Sequence, residues 1–473
     1  MATISSPGIG SGLDVQSIVT QLVALEKAPL RQLQTQATSF QTKLSTYGTI
    51  KSQVEAFGAA AAKLSTGAGW NAVTATSSNA GAIGVTAAEG APATSFTMQV
   101  SQLARAQSTA SAAVATGAAV GSGSMTIEIG QWAGTSFTPG SAAAVNVTIN
   151  PGEDTLSEIA SKINQAGGGV TATVLRDASG ERLLMRSRDT GETNGFRISV
   201  TDDDGNNSDG SGLSRVAFDA ANPAGQTLSQ RGQNALATVN NVPINSASNR
   251  LTNTLPGMTI QLLQETTLPV EIDVSSDLEA IKANVQAFVD SYNTLSATLA
   301  SATRYDEGSK RAGALQGDAT AIGLQNALRG MMRSVTTSTP FERLVDVGIE
   351  LKTGGQLSIQ ASKMDEALSN LDGLRGLFNA TTGDASTEGF GLKIKRFADG
   401  LLAADGLVSS KSASIQKSID RNGREQERVN DRAARVETRL LQQYNAMDAR
   451  VGQLNGLSAF VSQQITLWNK SSA

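Results

Sequence analysis

The segment VNDRAARVETRLLQQYNAMDARVGQLNGLSAFVSQQITLW, from Val429 to Trp468, decides the fold. Its apolar positions are Val429, Ala433, Val436, Leu440, Tyr444, Met447, Val451, Leu454, Leu457, Val461, Ile465 and Trp468. Every step between them is three or four residues. One stripe of a helix therefore stays apolar while Gln, Arg, Asp, Asn and Ser fill the other faces. No proline interrupts the run from Lys411 to Lys470, and at ~1.5 Å per residue it spans on the order of 80 Å. A rod of that length cannot bury its stripe against its own compact domain, so it needs a partner helix.

The other end of the chain offers one. Ser11 with Asp14 three residues on marks a helix start, and Val15, Ile18, Val19, Leu22 and Val23 supply its apolar face. Pro29 breaks or kinks that helix and opens the next. The second helix has the same rhythm of threes and fours: Leu30, Leu33, Ala37, Phe40, Leu44, Tyr47, Ile50, Val54, Phe57, Ala61 and Leu64. Packing the two ends together brings both termini to one pole. The expected assembly seam is Leu30, Leu33, Phe40, Leu44, Tyr47, Val54 and Phe57 with Val429, Val436, Leu440, Tyr444, Met447, Val451 and Leu454.

Between the helical ends the period changes. Stretches Val73–Thr86 and Thr94–Val100 alternate apolar and small polar residues as strands do, and further strands are expected at 124–129, 144–149, 169–174, 182–187, 196–200, 235–239, 258–263 and 270–274. A short helix over 154–164 lies among them. Helical periodicity resumes after Ser275, with Leu278–Leu299, Asp318–Ser334, Lys363–Leu371 and 393–404 as the expected elements. The fold class is α+β multidomain: long terminal helices forming a coiled-coil stalk and helical bundle, with inserted β-rich domains.

Composition narrows the chemistry. The 473 residues carry a net charge of −4, are 40% apolar and only 4% aromatic. An acidic balance argues against a general nucleic-acid binder. The chain has no Cys and no His, which removes disulfides, thiol nucleophiles, the usual zinc sites and the commonest general base. No stretch approaches the roughly 18 apolar residues of a membrane span, and no basic region precedes an apolar core at the N-terminus. No catalytic constellation, metal site or cofactor site is expected. Gly8-Ile9-Gly10-Ser11-Gly12 follows no strand and lacks the spacing of a dinucleotide fingerprint. The run Asp202–Asn207 has Asn207 at the turn position and Leu213 at the twelfth position of a calcium loop, so it is a solvated loop. On composition alone the protein is soluble and cytoplasmic.

One charged feature stands out. Arg421, Arg424, Arg428, Arg432, Arg435 and Arg439 fall in one sector of the last helix, roughly a quarter turn from the apolar stripe. A solvated face with local pairs such as Asp431 to Arg435, contributing ~0.3 kcal/mol each, is one reading. A charged contact row toward acidic groups on a neighbour is the other.

Several motifs in order carry a resemblance. Ile9-Gly10-Ser11-Gly12-Leu13-Asp14-Val15 with Ile18-Val19 and Leu22-Val23, then Glu26-Lys27-Ala28-Pro29-Leu30, is similar to the N-terminal signature of the flagellar hook-associated protein 2 family, the filament cap proteins. Thr155–Val174, with Leu156, Ile159, Ile163-Asn164 and Val170-Thr171-Ala172, resembles the short motif shared by hook and flagellin-like proteins. Val239-Asn240-Asn241-Val242-Pro243-Ile244, Asn249 and Leu255-Pro256-Gly257-Met258-Thr259-Ile260 resemble the start of the family's C-terminal region. Gly355-Gln356-Leu357-Ser358-Ile359 with Lys363-Met364 and Ala367-Leu368 continues it.

The resemblance implies a homo-oligomeric ring at the distal tip of the bacterial flagellum. Flagellin would fold and join the filament beneath it. It implies secretion through the flagellar type III export path without a cleaved signal, which replaces the cytoplasmic reading. The implied division is 1–45 as N-terminal leg helices paired with the leg 411–473, and 46–68 with 275–410 as a helical domain. A β-rich domain of 69–107 with 234–274 and an outer β-rich domain of 108–233, containing the motif 154–187, complete it. Implied partners are other copies of itself, flagellin, hook–filament junction proteins and an export chaperone on the last helix. Two alternatives stand beside this: another axial subunit (flagellin or a junction protein), and an adhesin whose region 108–233 meets host mucin.

Overall fold

The computed structural model describes residues 12, 14–308, 310–337 and 340–471. Nine helices lie among them: α1 Val15–Glu26, α2 Ala28–Ser65, α3 Leu156–Ala166, α4 Leu278–Thr303, α5 Ala319–Met332, α6 Ala361–Leu368, α7 Leu371–Asn379, α8 Phe390–Leu402 and α9 Leu407–Ser471. The chain divides into two compact units, one made of both terminal segments (to Trp70, and from Glu279) and one made of Asn71–Leu278.

The terminal unit is helical. Asp14 caps α1, its carboxylate accepting the Ser17 N–H at 2.9 Å, whereas Ser11, the expected start, lies outside the described residues. The chain turns once at Lys27, and Pro29 sits in the first turn of the 38-residue α2, where its missing N–H is no loss. The second half of α2 buries Tyr47, Ile50, Val54, Phe57, Ala61 and Leu64. Phe57 stacks 5.4 Å from Phe288 and 5.7 Å from Tyr292 of α4, and Phe288 meets Phe378 of α7 edge-on at 5.6 Å. Helix α8 crosses α2 at Gly58, where a Cβ would come within 2.7 Å of Ala398. Two corrections fall here. The expected helix 363–371 is two helices, α6 and α7, because Asn370 caps a new start through the Gly373 N–H at 3.0 Å. The expected 393–404 begins earlier, at Phe390, which is buried.

The second unit has two cores. One five-stranded antiparallel sheet runs in the order Val73–Ser77, Val270–Ser276, Thr94–Gln102, Ala235–Val239, Val242–Ser246. A three-stranded sheet of Arg250–Thr252, Met258–Leu262 and Ile83–Ala87 packs with it around Phe96, Met98, Ile260 and Ile272. The stretch Val73–Thr86, expected as one strand, is thus two strands in different sheets. A turn at Asn79, whose carbonyl accepts the N–H groups of Ala82 and Ile83 at 3.0 Å, separates them. The other core lies under α3. It joins the sheet of Gly195–Asp202, Gly123–Ala133, Ser136–Pro139 and Val145–Ile149 to that of Thr227–Gln230, Ser108–Ala110, Gly180–Ser187 and Val170–Asp177. Helix α3 starts on a reciprocal Thr155/Glu158 cap and ends on Gly167 at φ 69°, so its limits are set locally. The acidic loop is stitched to itself: buried Asp202 accepts the Ser214 N–H at 2.7 Å, and Asp204 accepts that of Asn206 at 2.8 Å.

Candidate assembly surface

The two apolar stripes meet over only part of their length. Helix α9 runs antiparallel to the first half of α2, and then α1 continues along it. Val15, Val19 and Val23 of α1 are buried against Ala433, with Leu440, Leu441 and Tyr444 packed beside them. Val429 is 9% exposed and Ala433 fully buried, and Val436, Leu440 and Tyr444 are half-buried. On α2, Leu30, Leu33, Phe40 and Leu44 are likewise half-buried.

Farther along, the cover ends. Met447 is exposed, Val451 half-buried, and Leu454 is 63% exposed. Leu457, Phe460, Val461, Ile465 and Leu467 follow, all exposed. The side chain of Trp468, the last expected stripe position, lies outside the described residues. From Met447 to Leu467 the naked stripe is about 30 Å long.

Of the expected seam residues, Tyr47, Val54 and Phe57 pack fully inward. Each is at most 1% exposed; Phe57 meets Phe288 and Tyr292 of α4, and the Tyr47 hydroxyl reaches Asp318. These side chains offer a neighbour nothing. The physical reason is competition: the Phe57 ring finds the Phe288 and Tyr292 rings of α4, which cover it more fully than one thin helix could.

Polar groups punctuate the covered part. Asn422, on the same face as Val429, is buried at 5% exposure. It lies 3.5 Å from Gln36 of α2 and accepts from Gln426 at 2.6 Å. At the base of α9, Lys411 reaches Asp318 at 2.9 Å, and Asp318 also accepts from the Tyr47 hydroxyl at 2.9 Å and from Thr320 N–H at 3.0 Å. This carboxylate ties α2, α5 and α9. Sequence periodicity gave no sign of it, because a cap residue in a separate helix marks only that helix's start.

The arginine row is mixed. Arg428 pairs with Glu425 at 2.8 Å within α9, and Arg432 crosses to Glu26 of α1 at 3.2 Å. Among the described residues Arg421, Arg424, Arg435 and Arg439 form no ion pair, and the expected Asp431–Arg435 pair does not form, so those two side chains stay in solvent. No described helix is long and apolar enough to cross a membrane, and no described cluster of carboxylates is placed to hold a metal.

Known proteins give this geometry a family. Residues 11–107 match the model of the flagellar hook-associated protein 2 N-terminus and residues 232–456 that of its C-terminus, while 133–189 match the flagellin hook IN motif. The flagellar hook-associated protein 2 of Escherichia coli K12 is 31% identical over 98% of each chain. The B-type protein of Pseudomonas aeruginosa is 30% identical over 95% of this chain and 94% of its own. The crystal structure of the D1-D2-D3 domains of the E. coli flagellar cap protein superposes with a TM-score of 0.61 at 29% identity, covering 78% of this chain and 99% of that one. Two terminal family segments flanking a β-rich insert, with full-length similarity, make this chain a member of the flagellar hook-associated protein 2 family, a structural family of the flagellum and not an enzyme.

Proposed function

We propose that the protein is the structural cap at the distal end of the flagellar filament, working as a secreted homo-oligomeric ring that retains exported flagellin and promotes its folding and insertion. The observation that carries this is the half-covered stripe of α9. Intramolecular packing fixes α9 as far as Tyr444, and beyond it the stripe positions Met447, Leu454, Leu457, Val461 and Ile465 are exposed, with Val451 half-buried, among the described residues. Each large apolar side chain covered there gains about 1.5–3 kcal/mol, so a few of them hold a helix firmly while each remains separately releasable. A cap that admits one subunit at a time needs such a grip. Neighbouring cap copies, flagellin and, at the base, junction proteins are the partners that fit. An export chaperone shielding the same stripe before secretion also fits.

The test is Leu454→Ser, Leu457→Ser and Val461→Ser together in a strain lacking the native gene. Soluble, folded protein with an unchanged melting temperature, unfinished filaments and flagellin lost to the medium are the expected results. Full-length filaments would refute the proposal. A second variant, Arg435→Glu with Arg439→Glu, tests the charged row at two members that form no ion pair among the described residues. Loss of filament growth without loss of folding assigns it to a neighbour, and normal filaments return it to solvent.

A further inference from the structure

A cavity of ≈ 320 Å³ opens in the β-rich unit, lined by Trp132, Phe218, Pro223, Gln226, Leu228 and Arg231 among others. We propose that it is a binding site for a small aromatic carboxylate, its ring on Trp132 and Phe218 and its charge on Arg231. Nothing in the assembly reading requires this site, and the two stand or fall separately.

The walls are rigid and aromatic. The Trp132 indole donates to the Phe196 carbonyl at 2.8 Å, fixing the ring. Trp132 meets Phe218 edge-on at 5.4 Å and Phe137 at 5.0 Å, and Phe218 lies 6.0 Å from Phe196. A further ring extends this series in the offset or edge-on geometry that aromatic pairs prefer. The volume admits one ring system, near the lower end of small-molecule sites.

The buried polar groups are already spent. Gln226 donates to the Val216 carbonyl at 2.8 Å and accepts from Thr109. Asn222 donates to the carbonyls of Ser214 at 2.9 Å and Asn207 at 3.1 Å. Gln107 exchanges two bonds with the Phe196 backbone, at 2.9 and 3.1 Å. An apolar ring therefore strands no polar group, whereas the hydroxyls of a sugar would find few partners.

The charged groups at the cavity differ in their partners. Asp219 accepts from the Ala221 N–H at 3.1 Å and faces Arg197 at 3.8 Å, while Arg197 also pairs with Glu128. Arg231 is exposed, and among the described residues its guanidinium has no carboxylate. The lining thus carries apolar walls, the Asp219 carboxylate, which Arg197 faces, and the Arg231 guanidinium, which has no carboxylate of its own among the described residues and is the group that takes the anion of a flat ring.

Saturation-transfer NMR with the full chain tests this using 2-naphthoate, neutral 2-naphthamide and glucuronate. Naphthoate is expected to bind saturably with a dissociation constant of about 0.1–1 mM. The amide should bind about tenfold more weakly and glucuronate not at all. Arg231→Gln should reduce naphthoate to the level of the amide, and Leu228→Ala should weaken both about threefold. Both positions are exposed, so melting temperatures should not move. Absence of saturable binding, equal binding of acid and amide, preference for glucuronate, or undiminished naphthoate binding by Arg231→Gln each overturns the proposal.

Discussion

Asp318 shows what one residue contributes. Burial alone would raise its pKa, but hydrogen bonds from Lys411, Tyr47 and the Ala321 N–H, with the Lys411 charge, outweigh that and hold the carboxyl below its usual value. Burial and the same carboxylate push the Tyr47 phenol upward. A carboxyl depressed in the folded state adds stability that is fully present above its unfolded value of about 3.9 and is lost as pH falls through the lower folded value. Asp318→Asn should therefore cost about 1–2 kcal/mol in urea unfolding at pH 7 and flatten the loss of stability below about pH 4. An unchanged acid limb would show the tie to be idle. The Asn240–Asn241 turn is a second such case, with φ of 47° and 66°, both in the left-handed region. Asn240 also accepts the Thr97 N–H of the neighbouring strand at 2.9 Å. Asn241→Gly should be neutral or mildly stabilising, whereas Asn241→Val should cost about 1–2 kcal/mol, read from thermal melts. Asn tolerates that conformation, but the strand Val242–Ser246 that the turn leads into was not among the expected strands. The three-helix tie at Asp318 was not legible either, because its partners lie 271 residues away at Tyr47 and on another helix at Lys411.

At the scale of the element, α1 and α9 divide the stripe between an intramolecular and a naked part. Val15, Val19 and Val23 are the residues that cover Ala433, and their spacing marked them as one face of a helix. Which stripe they would cover was not marked, because a period gives the width of an apolar face and not its partner. The short α1, and not the aromatic half of α2, took the place opposite Ala433. Val19→Asp would put a charge into that contact. Hydrogen exchange over 15–26 should rise more than tenfold as α1 undocks, with the main melting transition unmoved, since the aromatic core of α2, α4, α7 and α8 is separate. Unchanged protection would mean that α1 is held by something other than this face. Buried Asn422 and its neighbours Gln36 and Gln426 weaken the apolar zipper at one level, and a polar pair at a seam position is a known means of fixing register.

At the scale of the molecule, the second unit is an insertion whose two ends are paired. Val73 faces Ser276 in the sheet register, and the Asp277 N–H donates to the Ala72 carbonyl at 2.9 Å. With two cores of its own, the fragment 71–278 should fold alone and melt cooperatively by circular dichroism; a fragment without a transition would show that the helices are needed to hold it. The sequence by itself determined the order of helical and β-rich segments, the presence of α3 (expected two residues early at each end), the break before Pro29 and the apolar face of α9, because capping groups, proline and hydrophobic period act within a few residues. Tertiary structure alone decided that Val73–Thr86 splits between two sheets, that Tyr47, Val54 and Phe57 belong to the core, and that most described stripe positions beyond Tyr444 are exposed. Those outcomes depend on which distant surfaces compete to cover the same side chains, and that competition is settled only when the whole chain is packed.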